Sequence, residues 1–134
     1  MYATKLRPND YIIAGDPNTP THLLRELAVS PEPKVRGRVA ENVAAPVTTL
    51  MELLNDNHSE VRLNLAHNPL LPRMLLLQLA LDDEPDVRID LAENPRLPAS
   101  ILAMLTKDEN PYVANQASLT LSKLASDPLS QAVA

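Results

Sequence analysis

A chain of 134 residues with 45% apolar side chains is long enough for one domain with its own core. That core must come from Leu, Val, Ile and Ala, since there is no Phe or Trp; the lack of cysteine excludes disulfides, thiol catalysis and Cys-ligated metal or iron–sulfur sites. A net charge of −5 argues against a general binder of nucleic acid or anionic membrane, both of which want a basic face.

The first residues hold no apolar run of the kind that opens a secretory leader, and no stretch approaches the length of a membrane span. A cytoplasmic protein without a membrane segment is expected. Residues 1–13 read as an N-terminal cap, with Leu6, Tyr11 and Ile12 covering the first helices. Ile13-Ala14-Gly15-Asp16-Pro17 then falls in register with Leu65-Ala66-His67-Asn68-Pro69.

From there the chain repeats. Pro20, Pro46, Pro72 and Pro98 are evenly spaced by 26 residues, and Leu24, Leu50, Leu76 and Leu102 keep the same step. So do Leu27, Leu53, Leu79 and Leu105, and Val35, Val61, Val87 and Val113. A fixed period in this range indicates a stacked array. The expected units are 14–39, 40–65, 66–91 and 92–117, with 118–125 ending a closing helix and 126–134 expected as a flexible tail.

Each unit predicts two helices. The first is expected to open with the repeated proline at its first helical position, where a missing N–H has no helical partner anyway; Thr19 is the natural cap before Pro20. Apolar residues at Leu23, Leu24, Leu27 and Ala28, and again at Leu75, Leu76, Leu79 and Ala80, form one helical stripe. Polar elbows follow: Ser30-Pro31-Glu32, Asp56-Asn57-His58-Ser59, Asp82-Asp83-Glu84 and Asp108-Glu109-Asn110. A short second helix begins near Pro33, Glu60, Pro85 and Pro111. It stops at Asn68-Pro69 and Asn94-Pro95, because a residue before proline is pushed out of the α region. The last unit has no such stop, and its helix should run to about Ala125.

The units L-A-x-N-P-x-x-P-x-x-L-L-x-x-L-A and D-x-x-x-x-V-R-x-x-L-A, clearest from Leu65 to Ala92, resemble the leucine-rich-repeat-variant family, a bacterial group of HEAT/armadillo-like helical repeat proteins. The resemblance covers roughly residues 14–117 and implies an all-α, right-handed α-solenoid of about four two-helix units between caps. The chain departs from the family in its longer step and in having no cysteines for the iron–sulfur module known there. Whether the short second helices are α or 3₁₀ stays open.

Arg36, Arg62 and Arg88 form a row that breaks at Ala114. It would serve as an anion track or, since a carboxylate travels with each, as a ladder pairing Asp56 with Arg62 and Asp82 with Arg88. Asn42, Asn68 and Asn94 recur at one helix end, where amides cap and bridge turns. His22, His58 and His67 occupy different phases, so they cannot converge on a metal. His67 lies in phase with Glu41 and Glu93, but helices about 8–10 Å apart would stretch such a site badly. No catalytic triad or phosphate-cradling loop stands out, and neither cofactor nor catalysis is expected.

The outward positions of the second helices vary while the frame repeats. They read Lys34, Arg38, Glu41; then Glu60, Asn64, His67; then Asp86, Asp90, Glu93; then Tyr112, Gln116, Leu119. Surfaces of this kind line the concave binding groove of repeat proteins, although an unconstrained surface also drifts. The expected function is a monomeric, non-catalytic module that binds a protein or peptide there, with Asp86, Asp90 and Glu93 facing water. Alternatives are an enzyme or ligand-binding protein on a HEAT-like frame, resembling DNA glycosylases or bilin lyases, or an accessory subunit of a larger assembly. Aromatic residues to stack a base or a tetrapyrrole are almost absent.

Overall fold

The computed structural model describes residues 7–126, and among them it forms α-helices and no strand. Leu6 and residues 127–134 of the expected tail lie outside the described residues. The chain falls into two compact units, Met1–Leu76 and Leu77–Ala134. The first holds α1 (Asp10–Gly15), α2 (Thr21–Leu27), α3 (Pro33–Glu41), α4 (Val47–Leu53) and α5 (Ser59–Ala66). The boundary falls inside α6 (Arg73–Leu79); α7 (Pro85–Ala92), α8 (Ala99–Leu105) and α9 (Pro111–Ser126) belong to the second. The fold is all-α, and the last helix, α9, is the longest, running to Ser126 where a closing helix to about Ala125 was expected. The short second helices are α-helices.

One device makes every corner. A side-chain oxygen accepts the backbone N–H two residues on, at 2.8–3.2 Å: Asp16, Ser30, Asn42, Asp56, Asn68, Asp82, Asn94 and Asp108 each do so. Such turns offer the chain an alternative to continuing a helix. No described residue has positive φ, so none of these corners depends on a left-handed residue.

The prolines behave differently from expectation. Pro20, Pro46 and Pro98 have ψ of 146°, 148° and 134°, which places them outside the helix as N-caps and not at its first position. Their φ suits either place, and the extended ψ decides it. Their carbonyls still accept the first helical bonds, from Leu24, Leu50 and Leu102. Thr19 is therefore no cap; its hydroxyl donates to the Ile13 carbonyl at 2.6 Å.

In the first unit Leu24, Leu27, Val39, Leu50, Leu53, Val61 and Leu65 are at most 2% exposed. In the second, Leu79, Val87, Leu91, Ile101, Leu102, Leu105 and Val113 are equally buried. Each such side chain contributes about 1.5–3 kcal/mol of hydrophobic stabilisation. Leu76 breaks the expected pattern and is only half-buried. Leu75 and Leu79, one turn apart, carry the buried stripe of α6, and Leu76 stands about 100° round the helix from Leu75. Tyr11 (50% exposed) and Ile12 (69% exposed) do not cover the first helices either. Asp10 and Ala14 are the buried residues of α1.

The asparagines stitch successive turns together. Asn42 Nδ2 donates to the carbonyls of Ala14 (2.8 Å) and Asp16 (2.9 Å). Asn68 Nδ2 does the same to Ala40 (3.0 Å) and Asn42 (3.1 Å). These carbonyls lie at helix ends, where no intrahelical donor remains, so one amide serves the end of an earlier helix while its oxygen makes its own corner.

Candidate functional site

The arginine row belongs to the frame, but with different partners from those the spacing suggests. Arg36 Nε donates to Asp56 Oδ2 at 2.7 Å, and Arg88 Nε to Asp108 Oδ2 at 2.8 Å. The carboxylate is thus 20 residues ahead of the arginine, at the elbow that follows. The preceding elbow supplies a backbone carbonyl: Ser30 for Arg36, Asp56 for Arg62, Asp82 for Arg88. The error has a geometric origin. The Asp56 carboxylate accepts both the corner N–H and the arginine of the preceding second helix, while its backbone carbonyl receives Arg62 of its own second helix. These ion pairs are close to fully buried, with side-chain exposures of 14% and 8% for Arg36–Asp56 and 9% and 8% for Arg88–Asp108.

Burial alone would raise the pKa of both aspartates. The arginine hydrogen bond, the backbone N–H at the corner (His58 or Asn110) and the arginine charge outweigh it, so Asp56 and Asp108 are held below the ordinary carboxylate value. The Asp108 hydrogen bond raises Arg88 in turn. Ala80, Leu81, Asp82, Asp83, Arg88, Asp108 and Glu109 line an open hollow of about 370 Å³ around this pair. Sequence reasoning did not single it out.

The outward face of the second helices makes a different site. In the first unit a hollow of about 530 Å³ is lined by Tyr11 from α1, by Pro33, Lys34, Arg38 and Glu41 from α3, and by Glu60 and Asn64 from α5. Five of the expected residues meet there. His67 is exposed but is not among the residues lining it. Tyr11 and Pro33 were not expected. The signal for Tyr11 was its place one residue from the phase of Arg38 and Asn64, on an element assigned instead to covering the core.

Both glycines of the chain shape this face. A Cβ at Gly15 would collide with the Arg38 guanidinium, and one at Gly37 with the Asn64 amide. The bare backbone lets those side chains lie down across the preceding helix. Arg38 then stacks on Tyr11, its Cζ 4.9 Å from the ring centroid, within cation–π range. Its Nη1 is 3.6 Å from Glu41 Oε2.

In the second unit Asp86 on α7 and Glu93 at its C-cap are exposed, but Asp90 is half-buried and does not simply face water as expected. It precedes buried Leu91, which places it at the edge of the apolar stripe. On α9 Tyr112 is 76% exposed, and Gln116 Nε2 donates to Thr120 Oγ1 at 3.4 Å.

Among the described residues no group of three or more His, Asp or Glu is placed to hold a metal, and no helix is long and apolar enough to cross a membrane. No family model, curated protein or solved structure matches the chain.

Proposed function

We propose that this chain is a non-catalytic helical-repeat module that docks a protein or peptide on the outward face of its second helices. The supporting observation is the contrast between frame and face within the same helices. Asn42 and Asn68 repeat one bonding pattern and Arg36 and Arg88 another. The residues between them change from Lys34 and Arg38 on α3 to Glu60 and Asn64 on α5, and together line one hollow. A frame held constant under a face of varied charge is what recognition of a particular partner requires. The unbroken 26-residue step further supports an α-solenoid of four units, akin to the leucine-rich-repeat-variant proteins; a right-handed, monomeric, cytoplasmic form is part of the proposal.

The test is site-specific photo-crosslinking in cells. A photo-reactive residue at Glu60 or Asp86 should trap one discrete protein, and the same probe at Glu52, exposed on α4, should not. Crosslinks from Glu52 alone, or from none of the three, overturn the proposal.

A further inference from the structure

We infer that the hollow in the first unit receives a carboxylate, the side chain of an aspartate or glutamate in a docked protein segment, on the guanidinium of Arg38. This rests on the docking function proposed above and names the chemistry of its partner.

A guanidinium carries five N–H donors, and Arg38 uses none of them in a hydrogen bond among the described residues. Its nearest anion, Glu41 Oε2, stands 3.6 Å from Nη1, beyond hydrogen-bond length, and its Nε is buried with no acceptor. The contrast with Arg36 and Arg88 is sharp, because each of those donates to a carboxylate and a carbonyl. Arg38 is nonetheless held in place. Tyr11 stacks on one face of it, and the space over Gly15 that a side chain would fill is taken by its Nη2, Cζ and Nε. A fixed guanidinium whose solvent-facing terminal N–H groups are unused is pre-organised for a carboxylate, because little side-chain freedom remains to be lost on binding.

Its surroundings select the kind of anion. Lys34, exposed one turn earlier on α3, adds a second cation to the hollow, and about a third of the Arg38 side chain is open to solvent. Glu41 and Glu60 line the same space and offset both cations. A dianionic phosphate or a nucleic-acid backbone therefore meets a nearly neutral field, whereas a single carboxylate is matched by the guanidinium. The two acids suit a lysine or arginine next to the acidic residue, so the fitting segment carries both signs.

An immobilised array of short peptides, probed with the full chain, tests this. Peptides with Asp or Glu beside a basic residue should be captured in preference to their Asn or Gln isosteres and to phosphoserine versions. Arg38→Gln should weaken that capture about tenfold, the effect of losing a charge-assisted hydrogen bond. Arg38→Lys should restore it only in part, and Lys34→Gln should weaken it less. Lys34→Gln, at an exposed position, keeps the test decisive if Arg38→Gln unfolds. Equal capture of amide isosteres, tighter capture of phosphopeptides, or capture indifferent to both substitutions overturns the carboxylate assignment and leaves docking intact. Capture of no peptide, joined with no crosslink from Glu60 or Asp86, overturns docking itself.

Discussion

The Thr120 hydroxyl donates to the Ala92 carbonyl at 2.5 Å, 28 residues behind it, the same reach at which Asn68 meets Ala40 and Asn42 meets Ala14. Thr120 stands in the register of Asn42, Asn68 and Asn94. An asparagine there ends the second helix, whereas α9 continues past Thr120 to Ser126. A hydroxyl suits the change because its single hydrogen has two acceptors in reach, the Ala92 carbonyl and, in its own helix, the Gln116 carbonyl at 3.1 Å, so donating to one leaves the other as the alternative.

The amide donors should therefore matter more than the volume of the side chain. Asn68→Ala removes a donor from two helix-end carbonyls, leaving that of Asn42 with only the Ala45 N–H, and is expected to cost about 2–4 kcal/mol. Asn68→Asp should be at least as damaging, since it aims an acceptor at two acceptors. Urea unfolding measures both; a harmless Asn68→Asp would remove the amide from the frame.

Burial in α6 separates two leucines that are alike in the repeat. Leu79→Ala should cost about 2–5 kcal/mol, and Leu76→Ala, at a half-buried site, clearly less. The same denaturation series decides it, and a larger loss at Leu76 would contradict the burial.

Acid should weaken the frame through two aspartates. Because the pKa values of Asp56 and Asp108 are lowered on folding, the unfolded chain takes up protons first as pH falls. Their contribution is complete above the ordinary value of 3.8 and is lost as pH drops through the lowered ones. Asp108→Asn should reduce stability at neutral pH and flatten the acid limb of a plot of urea midpoint against pH. An unchanged acid limb would count against the pair.

Charge on α7 should steer association. Asp86→Lys with Glu93→Lys, both at exposed positions, should leave the melting temperature nearly unchanged. It should slow binding of the crosslinked partner, with the difference shrinking as salt is raised. Asp90→Lys should instead lower the melting temperature, because that side chain is half-buried. Unaltered association kinetics at low salt would remove the acidic face from the site.

The helix order, the closing helix and the bridging asparagines were legible because they follow from spacing alone: Pro, Leu, Val and Asn recur at one step. What spacing cannot carry is rotation. Whether Leu75 or Leu76 points inward depends on a turn of about 100°, and whether Arg36 meets the elbow before or after it depends on how successive turns lie. The proline caps were missed because φ is fixed by the ring while ψ is not. The hollow was half visible. Its charged residues come from the variable phase, but Tyr11 joins them only because Gly15 lets Arg38 lie across α1.

Asn68 and Asn94 are each followed by proline. Spontaneous deamidation starts when the next residue's backbone nitrogen attacks the side-chain amide, and a proline nitrogen has no hydrogen to release. The residue that ends the helix thus also blocks the reaction that would turn the Asn68 donor into a carboxylate. Asn57, exposed and followed by His58, has no such protection. Peptide mapping of aged protein should find aspartate and isoaspartate accumulating at Asn57 while Asn68 stays intact, so the working lifetime of the fold is guarded at the two joints where proline follows the asparagine.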